Sequence, residues 1–347
     1  SGTSGADSLT YFDAVRFPVI GKIYPDSLPF FSRIPYFLKP TTREAVWNLG
    51  QNAAGIAVRF RSDSPVIAVK WENTFNNSMK HMAPVGIKGL DLYCFIDGKW
   101  RFMNSAQPSG KTNQWQIISG MDATEREYML YLPLYDGIHS LQIGVAAPSH
   151  IGQPSLPYPD TRKPIVFYGS SITQGACASR PGMAATNLIG RKLNVETINL
   201  GFSGNAFIDY EVAEMMAHVD ASAYVLDYVP NASPEQILEK TEKFVRILRE
   251  KHPDVPLIFV EDPIFPHSKF DLRMAKEIKD KNDAMNQAFS SLKKQGLKKI
   301  YLVKGRSLIS ANGESTVDGI HFTDCGFEQY VDAILPILKK AINHKKK

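Results

Sequence analysis

The residues of this chain that could do chemistry sit in short polar clusters, each following an apolar run. Ile165-Val166-Phe167-Tyr168 runs into Gly169-Ser170-Ser171-Ile172-Thr173-Gln174-Gly175, a turn with glycines on both sides of two hydroxyls. Further runs lead into Gly201-Phe202-Ser203-Gly204-Asn205 and into Asp227-Tyr228-Val229-Pro230-Asn231, and Asp318-Gly319-Ile320-His321 precedes the last amphipathic stretch. A serine is a weak nucleophile at neutral pH unless a base takes its proton, and the usual base is a histidine oriented by a carboxylate. Asp318 and His321 stand three apart, so one turn can set the carboxylate against Nδ1 while Nε2 faces a hydroxyl. A tetrahedral intermediate also needs donors for its oxyanion. The backbone N–H groups of Gly204 and Ser171 and the side-chain amide of Asn231 are the candidates.

Those clusters need elements to hold them. After residue 156 apolar runs alternate with amphipathic stretches near 182–193, 207–218, 234–251, 272–294 and 324–343, and the runs between them begin at Ile165, Val195, Ala223, Leu257 and Ile300. Five strands interleaved with five helices predict a doubly wound parallel sheet over 156–347, whose reactive groups gather at the carboxyl ends of the strands. Residues 1–155 read differently. Ile56, Val58 and Phe60 alternate with Ala57, Arg59 and Arg61, and Ile67, Val69 and Trp71 with Ala68 and Lys70. Period two predicts half-buried strands, hence an antiparallel β-sandwich of jelly-roll type. Asp97-Gly98 and Asp136-Gly137 each lie between apolar runs and predict two hairpins. The proline-containing segment 151–164 reads as the linker.

Composition narrows the function classes. The 347 residues are 44% hydrophobic and 22% charged, with 40 basic and 35 acidic side chains and a net charge of +5. Such a chain is globular, and its slight basic excess, part of it in Lys345-Lys346-Lys347, specifies no nucleic-acid partner. No apolar run approaches the roughly 18 to 20 residues of a membrane span. Ser1-Gly2-Thr3-Ser4-Gly5, opening without methionine, reads as a processed end. Cys94, Cys177 and Cys325 are too few for a disulfide framework and read as small buried hydrophobes. Eight histidines include no HExxH and no paired ligand spacing, so no metal is expected. The GxGxxG and P-loop patterns are both incomplete, so no cofactor is expected. Glu261-Asp262 reads as a cap or salt bridge for the following segment. Trp47, Trp71, Trp100 and Trp115 read as sandwich core.

The order of serine, glycine, asparagine and Asp-x-x-His along successive strand ends resembles the SGNH/GDSL hydrolase family over about residues 164–340. Gly169-Ser170-Ser171 matches the Gly-Asp-Ser block and carries the nucleophile onto Ser171. Gly204 matches the second-block glycine, Asn231 the third-block asparagine, and Asp318 with His321 the last block. Ser170 replaces the usual aspartate, and Val229-Pro230-Asn231 stands where Gly-x-Asn-Asp is usual. The run from His81 to Tyr93 is similar to the β-domain that precedes such hydrolase domains in bacterial carbohydrate esterases. The resemblance implies a secreted or periplasmic serine esterase without cofactor, removing short acyl groups, acetyl foremost, from an acylated carbohydrate. A carbohydrate-binding protein with a vestigial hydrolase half, or a lipid acylhydrolase, are the competing implications; oligomeric state is left open.

Overall fold

The computed structural model describes residues 8–157 and 162–343, so Ser1–Gly5 and Lys345–Lys347 lie outside it. The first half comprises β1 (Leu9–Asp13), β2 (Val19–Ile20), α1 (Glu44–Gly50), β3 (Ala57–Ser62), β4 (Ile67–Asn73), α2 (Pro84–Lys88), β5 (Leu90–Ile96), β6 (Lys99–Ala106), β7 (Thr112–Ile118), β8 (Arg126–Tyr131), β9 (Ile138–Ala146) and β10 (Ile151–Gly152). They form two antiparallel sheets, ordered β1-β9-β4-β7 and β10-β3-β8-β5-β6, with β2 also on β3. The alternating residues Val58, Phe60, Val69 and Trp71 meet Leu92, Leu130 and Ile143 between the sheets.

Asp97 and Gly98 both have positive φ, 51° and 77°, as a two-residue hairpin between β5 and β6 requires. Asp136-Gly137 makes no hairpin. β8 lies in one sheet and β9 in the other, and the buried Asp136 carboxylate accepts the N–H groups of Phe75 (2.9 Å), Asn77 (2.9 Å) and Gly137 (2.8 Å). The pair marks a crossing between sheets, knotted by a side chain. The expected linker also begins as sandwich: Ile151 and Gly152 pair with Ser62 and Arg61, and Glu127 accepts the N–H groups of Ser155 and Leu156. Residues 158–161 lie outside the described chain.

The second half follows its predicted rhythm: β11 (Ile165–Gly169), α3 (Ser171–Gln174), α4 (Ala185–Leu193), β12 (Thr197–Gly201), α5 (Tyr210–Ala217), β13 (Ala223–Asp227), α6 (Pro234–Lys251), β14 (Leu257–Val260), α7 (Leu272–Lys294), β15 (Ile300–Val303) and α8 (Asp324–Asn343). The five strands form a parallel sheet ordered β12-β11-β13-β14-β15. Every residue of β11 to β14 is buried, as helices on both faces dictate. β12 and β13 lie on opposite sides of β11, so the crevice opens at the carboxyl ends of β11 and β13, where this topology binds ligands. α6 starts on a capping box between Ser233 and Gln236, with Pro234 in the first turn.

The halves share hydrophobic cores. Ile34 and Trp47 pack in one cluster with Tyr168, Leu200 and Phe202, while Met82, Leu134 and Tyr135 pack in another with Ile172 and Ala176. Trp47 therefore belongs beneath the parallel sheet and not to the sandwich core. Cys94 and Cys177 are buried as expected, but Cys325 is exposed. The buried Arg33 guanidinium donates to the carbonyls of Leu49 (2.7 Å), Asn52 (2.8 Å), Asn199 (3.0 Å) and Gly201 (2.7 Å). The buried Asp91 carboxylate accepts from Ser105 Oγ (2.6 Å), Arg180 Nη1 (3.0 Å) and the Gly182 N–H (2.7 Å).

Two further carboxyls, Asp227 ending β13 and Asp262 after β14, are pushed up to about 7. Burial is the main cause for both, opposed at Asp227 by the Tyr330 hydroxyl and at Asp262 by Lys281. The folded chain then holds protons that the unfolded chain releases above the ordinary value of 3.8. These two groups therefore stabilise the fold least at pH 7 and above, and more as pH falls toward 4. The expected outcome is a melting temperature that declines between pH 4 and 7, with a shallower decline in Asp227→Asn and Asp262→Asn. Identical slopes in the variants and the parent would show both carboxyls ionised in the folded state.

Candidate active site

Ser170 and Ser171 divide their work at the end of β11. Ser170 Oγ accepts the Ile172 N–H at 3.2 Å and caps the short α3. Ser171 Oγ is 3.0 Å from His321 Nε2, and His321 Nδ1 is 2.7 Å from Asp318 Oδ2. Asp318 Oδ1 also accepts the N–H groups of His321 (2.8 Å) and Ile320 (3.1 Å). The intervening Gly319 has φ +93°, a conformation that lets the loop fold the carboxylate back on the imidazole. Burial would raise the Asp318 carboxyl, but the donors on His321 and Ile320 outweigh it and hold it down at about 2. The carboxylate is thus a permanent acceptor for the imidazole.

The oxyanion candidates follow the carboxyl ends of β12 and β13, the strands on either side of β11. Asn231 Oδ1 accepts the Ala206 N–H at 3.1 Å, which leaves the amino end of the amide to donate. Gly204 is exposed, has φ +68°, and an added Cβ would have no atom within 4 Å. Space therefore lies open above its backbone. Ser203 N–H donates to Gln174 Oε1 at 3.0 Å, and Gln174 Nε2 donates to Leu134 O at 3.0 Å. Arg43 donates to Asn205 Oδ1 (2.8 Å) and O (3.0 Å) and pairs with Asp209 (3.0 Å). The loop carrying Gly204 is held by Arg33 and Arg43 of the first half directly, and by Leu134 through Gln174.

The first half also reaches the histidine. His81 Nε2 lies 3.9 Å from Asp318 Oδ2, and the His81 and His321 rings meet edge to face at 5.3 Å. Met82 Sδ accepts the Cys177 N–H at 3.4 Å, and Tyr135 Oη donates to Ser171 O at 3.4 Å. The Cys177 thiol is pushed up to about 12, by burial first and by Asp318 second, so it is no competing thiolate nucleophile. Arg33, Arg43, Gln174 and Tyr135 carry no motif, because each acts on residues distant in sequence. Glu261 is buried among the Gly305 N–H (2.8 Å), Asn286 and Lys304 (3.7 Å), a structural bracket for the next segment.

Residues 162–339 match the model of the GDSL-like lipase/acylhydrolase family, and residues 9–151 match the N-terminal domain model of SGNH-hydrolase-type esterases. A structure described as a GDSL-like lipase, from Bacteroides ovatus, is 38% identical, with 97% of this chain and 98% of that one aligned at a TM-score of 0.93. The salicylyl-acyltransferase SsfX3 of a tetracycline biosynthetic pathway aligns over 94% and 96% of the two chains at 17% identity and a TM-score of 0.74. A family two carbohydrate esterase from Cellvibrio japonicus aligns over 97% and 98% at 12% identity and a TM-score of 0.63. No curated protein matches the chain.

Arg43 offers a test of the clamp from the first half. Arg43→Ala frees the loop bearing Gly204 without touching the Ser171–His321 contact. It is expected to lower kcat roughly ten- to a hundredfold, the scale of a small misplacement of a reacting group, with KM and melting temperature little changed. Steady-state kinetics on p-nitrophenyl acetate measure this, and an unchanged kcat would sink the positioning role.

Proposed function

The chain belongs to the GDSL-like lipase/acylhydrolase family and is an ester hydrolase, and from that premise we propose that it removes short acyl groups, acetyl foremost, from a carbohydrate. The observation that carries the mechanism is the continuous hydrogen-bond chain from Ser171 through His321 to Asp318, at 3.0 and 2.7 Å. Ser171 Oγ attacks the ester carbonyl while His321 Nε2 takes its proton. Asp318 holds Nδ1–H, which fixes the tautomer and stabilises the imidazolium. The Ser171 and Gly204 N–H groups and the Asn231 amide receive the charge on the carbonyl oxygen, each contributing about 3 kcal/mol by the general scale of such donors. The imidazolium then protonates the departing alcohol, and water repeats the cycle on the acyl-serine.

The carbohydrate reading draws support from the shared two-part fold of family two carbohydrate esterases, one of which, from Clostridium thermocellum, was solved with cellohexaose. Residues 1–155 then serve as a second wall to a cleft whose chemistry resides in 156–347. That arrangement suits a secreted or periplasmic enzyme acting on long acylated glycans. No helix among the described residues is long and apolar enough to cross a membrane.

Ser171→Ala is expected to lose about 10⁴-fold or more in kcat on p-nitrophenyl acetate, and Asp318→Asn about 10⁴-fold, both with an unchanged fold. The parent should favour the acetate over the palmitate ester and release acetate from an acetylated polysaccharide. Faster turnover of palmitate would move the substrate to lipids, and glycan binding without turnover by the parent would overturn the esterase.

A second expectation concerns pH. With Asp318 held at about 2, its charge is constant across any practical assay range. Activity should fall on acidification with a slope of one in a plot of log kcat/KM against pH, from protonation of the imidazole base alone. A slope of two between pH 4 and 7 would mean that a second group of the site titrates with the base.

A further inference from the structure

His81, Cys177 and His321 come from three distant segments, yet one ligand atom from each lies within 4.8 Å of the others. Among the described residues they are the one such group of histidine, cysteine and carboxylate side chains. We propose that this cluster is a site for a soft divalent cation, with Zn²⁺ as the representative, and that its occupancy switches the hydrolase off. The inhibitory part rests on His321 being the base.

Two imidazoles and a thiol form a donor set that selects Zn²⁺ over Mg²⁺ or Ca²⁺, which prefer oxygen. Zinc binds nitrogen at about 2.0–2.1 Å and thiolate sulfur at about 2.3 Å, so two nitrogens and one sulfur in a tetrahedron stand roughly 3.3–3.6 Å apart. Closing the present separations takes side-chain movements of about 1 Å, within the reach of ordinary torsions. The backbone around the site is already set. The Cys177 N–H is bonded to Met82 Sδ, which ties the turn bearing the cysteine to the residue after His81.

The outer partners suit a metal as well. His321 Nδ1 is engaged by Asp318 at 2.7 Å, which leaves Nε2 as the coordinating nitrogen. A carboxylate behind the imidazole is the usual support of a zinc-binding histidine and strengthens its basicity. Ser171 Oγ, 3.0 Å from Nε2, or a water in its place supplies the fourth ligand, an oxygen. The Cys177 thiol gives up its proton to solvent as the metal–sulfur bond forms. Once Nε2 holds a cation it cannot accept the proton of Ser171, so metal binding and ester cleavage exclude one another.

The test uses the full chain after treatment with EDTA. Zn²⁺ should inhibit p-nitrophenyl acetate hydrolysis, and EDTA should restore it. Cys177→Ser should keep the metal-free activity and raise the inhibitory Zn²⁺ concentration by at least about tenfold, the lower end of what even an outer-shell partner contributes. Co²⁺ gives a readout independent of turnover. It should produce a sulfur-to-cobalt charge-transfer band in the parent, absent in Cys177→Ser and weakened in His81→Gln. A Co²⁺ band in a protein without esterase activity would keep the metal site and reject the base assignment. No band, or equal Zn²⁺ sensitivity in parent and Cys177→Ser, would overturn the proposal.

Discussion

The constraint on which the rest of the molecule depends is the burial of the Arg33 guanidinium without a carboxylate. Burial pulls it down to about 9, with Tyr135 the main opposing influence, and four backbone carbonyls take its N–H groups. A desolvated charge of this kind is costly unless every donor is satisfied. Leu49 and Asn52 lie in the first half and Asn199 and Gly201 in the second, so satisfaction requires both halves at once. Gly201 ends β12 and starts the loop to Gly204. The ion therefore fixes the origin of the loop that carries Gly204, and the Arg33 guanidinium lies over the Phe202 ring at 5.1 Å in the same turn.

A second set of contacts fixes the opposite wall. In Gly89-Leu90-Asp91-Leu92-Tyr93, an added Cβ on Gly89 would lie 2.6 Å from Val85 O and 2.7 Å from Ala106 O, and Asp91 holds Arg180 and Gly182. Arg180 also donates to Tyr93 Oη at 2.7 Å, and its guanidinium lies 3.6 Å above the Phe102 ring. One residue earlier, Ser179 is bonded to Asp324 at the start of α8 through its N–H (2.9 Å) and Oγ (2.5 Å). The turn between α3 and α4 is thus pinned on both sides. This explains how Cys177 can sit at φ +71°, a conformation that a non-glycine residue adopts only when its surroundings dictate it.

What was legible in the sequence was what local physics decides. A parallel sheet covered on both faces gives unbroken apolar runs, and helices such as 234–251 and 272–294 declare their lengths through period and caps. The clusters at strand ends were legible for the same reason, since each lies within a few residues of the strand that positions it. Asp136-Gly137 misled because its local pattern is that of a turn, while its carboxylate serves Phe75 and Asn77 about sixty residues back. Arg33 and Arg43 were illegible for the same reason at greater range, acting across 168 and 162 positions. His81 and Cys177 share no spacing rule with His321. A metal-ligand pattern shows in sequence only when one helix or hairpin supplies the ligands.

The span between Arg33 and its last acceptor also bears on biosynthesis. At a ribosomal rate of about 5–20 residues per second, Gly201 is polymerised roughly 8 to 34 seconds after Arg33. Until then Arg33 lacks its acceptors Asn199 and Gly201, and Ile34 and Trp47 lack the partners Tyr168, Leu200 and Phe202 against which they pack in the folded chain. The nascent chain therefore depends on keeping this face hydrated or chaperoned until the parallel sheet arrives.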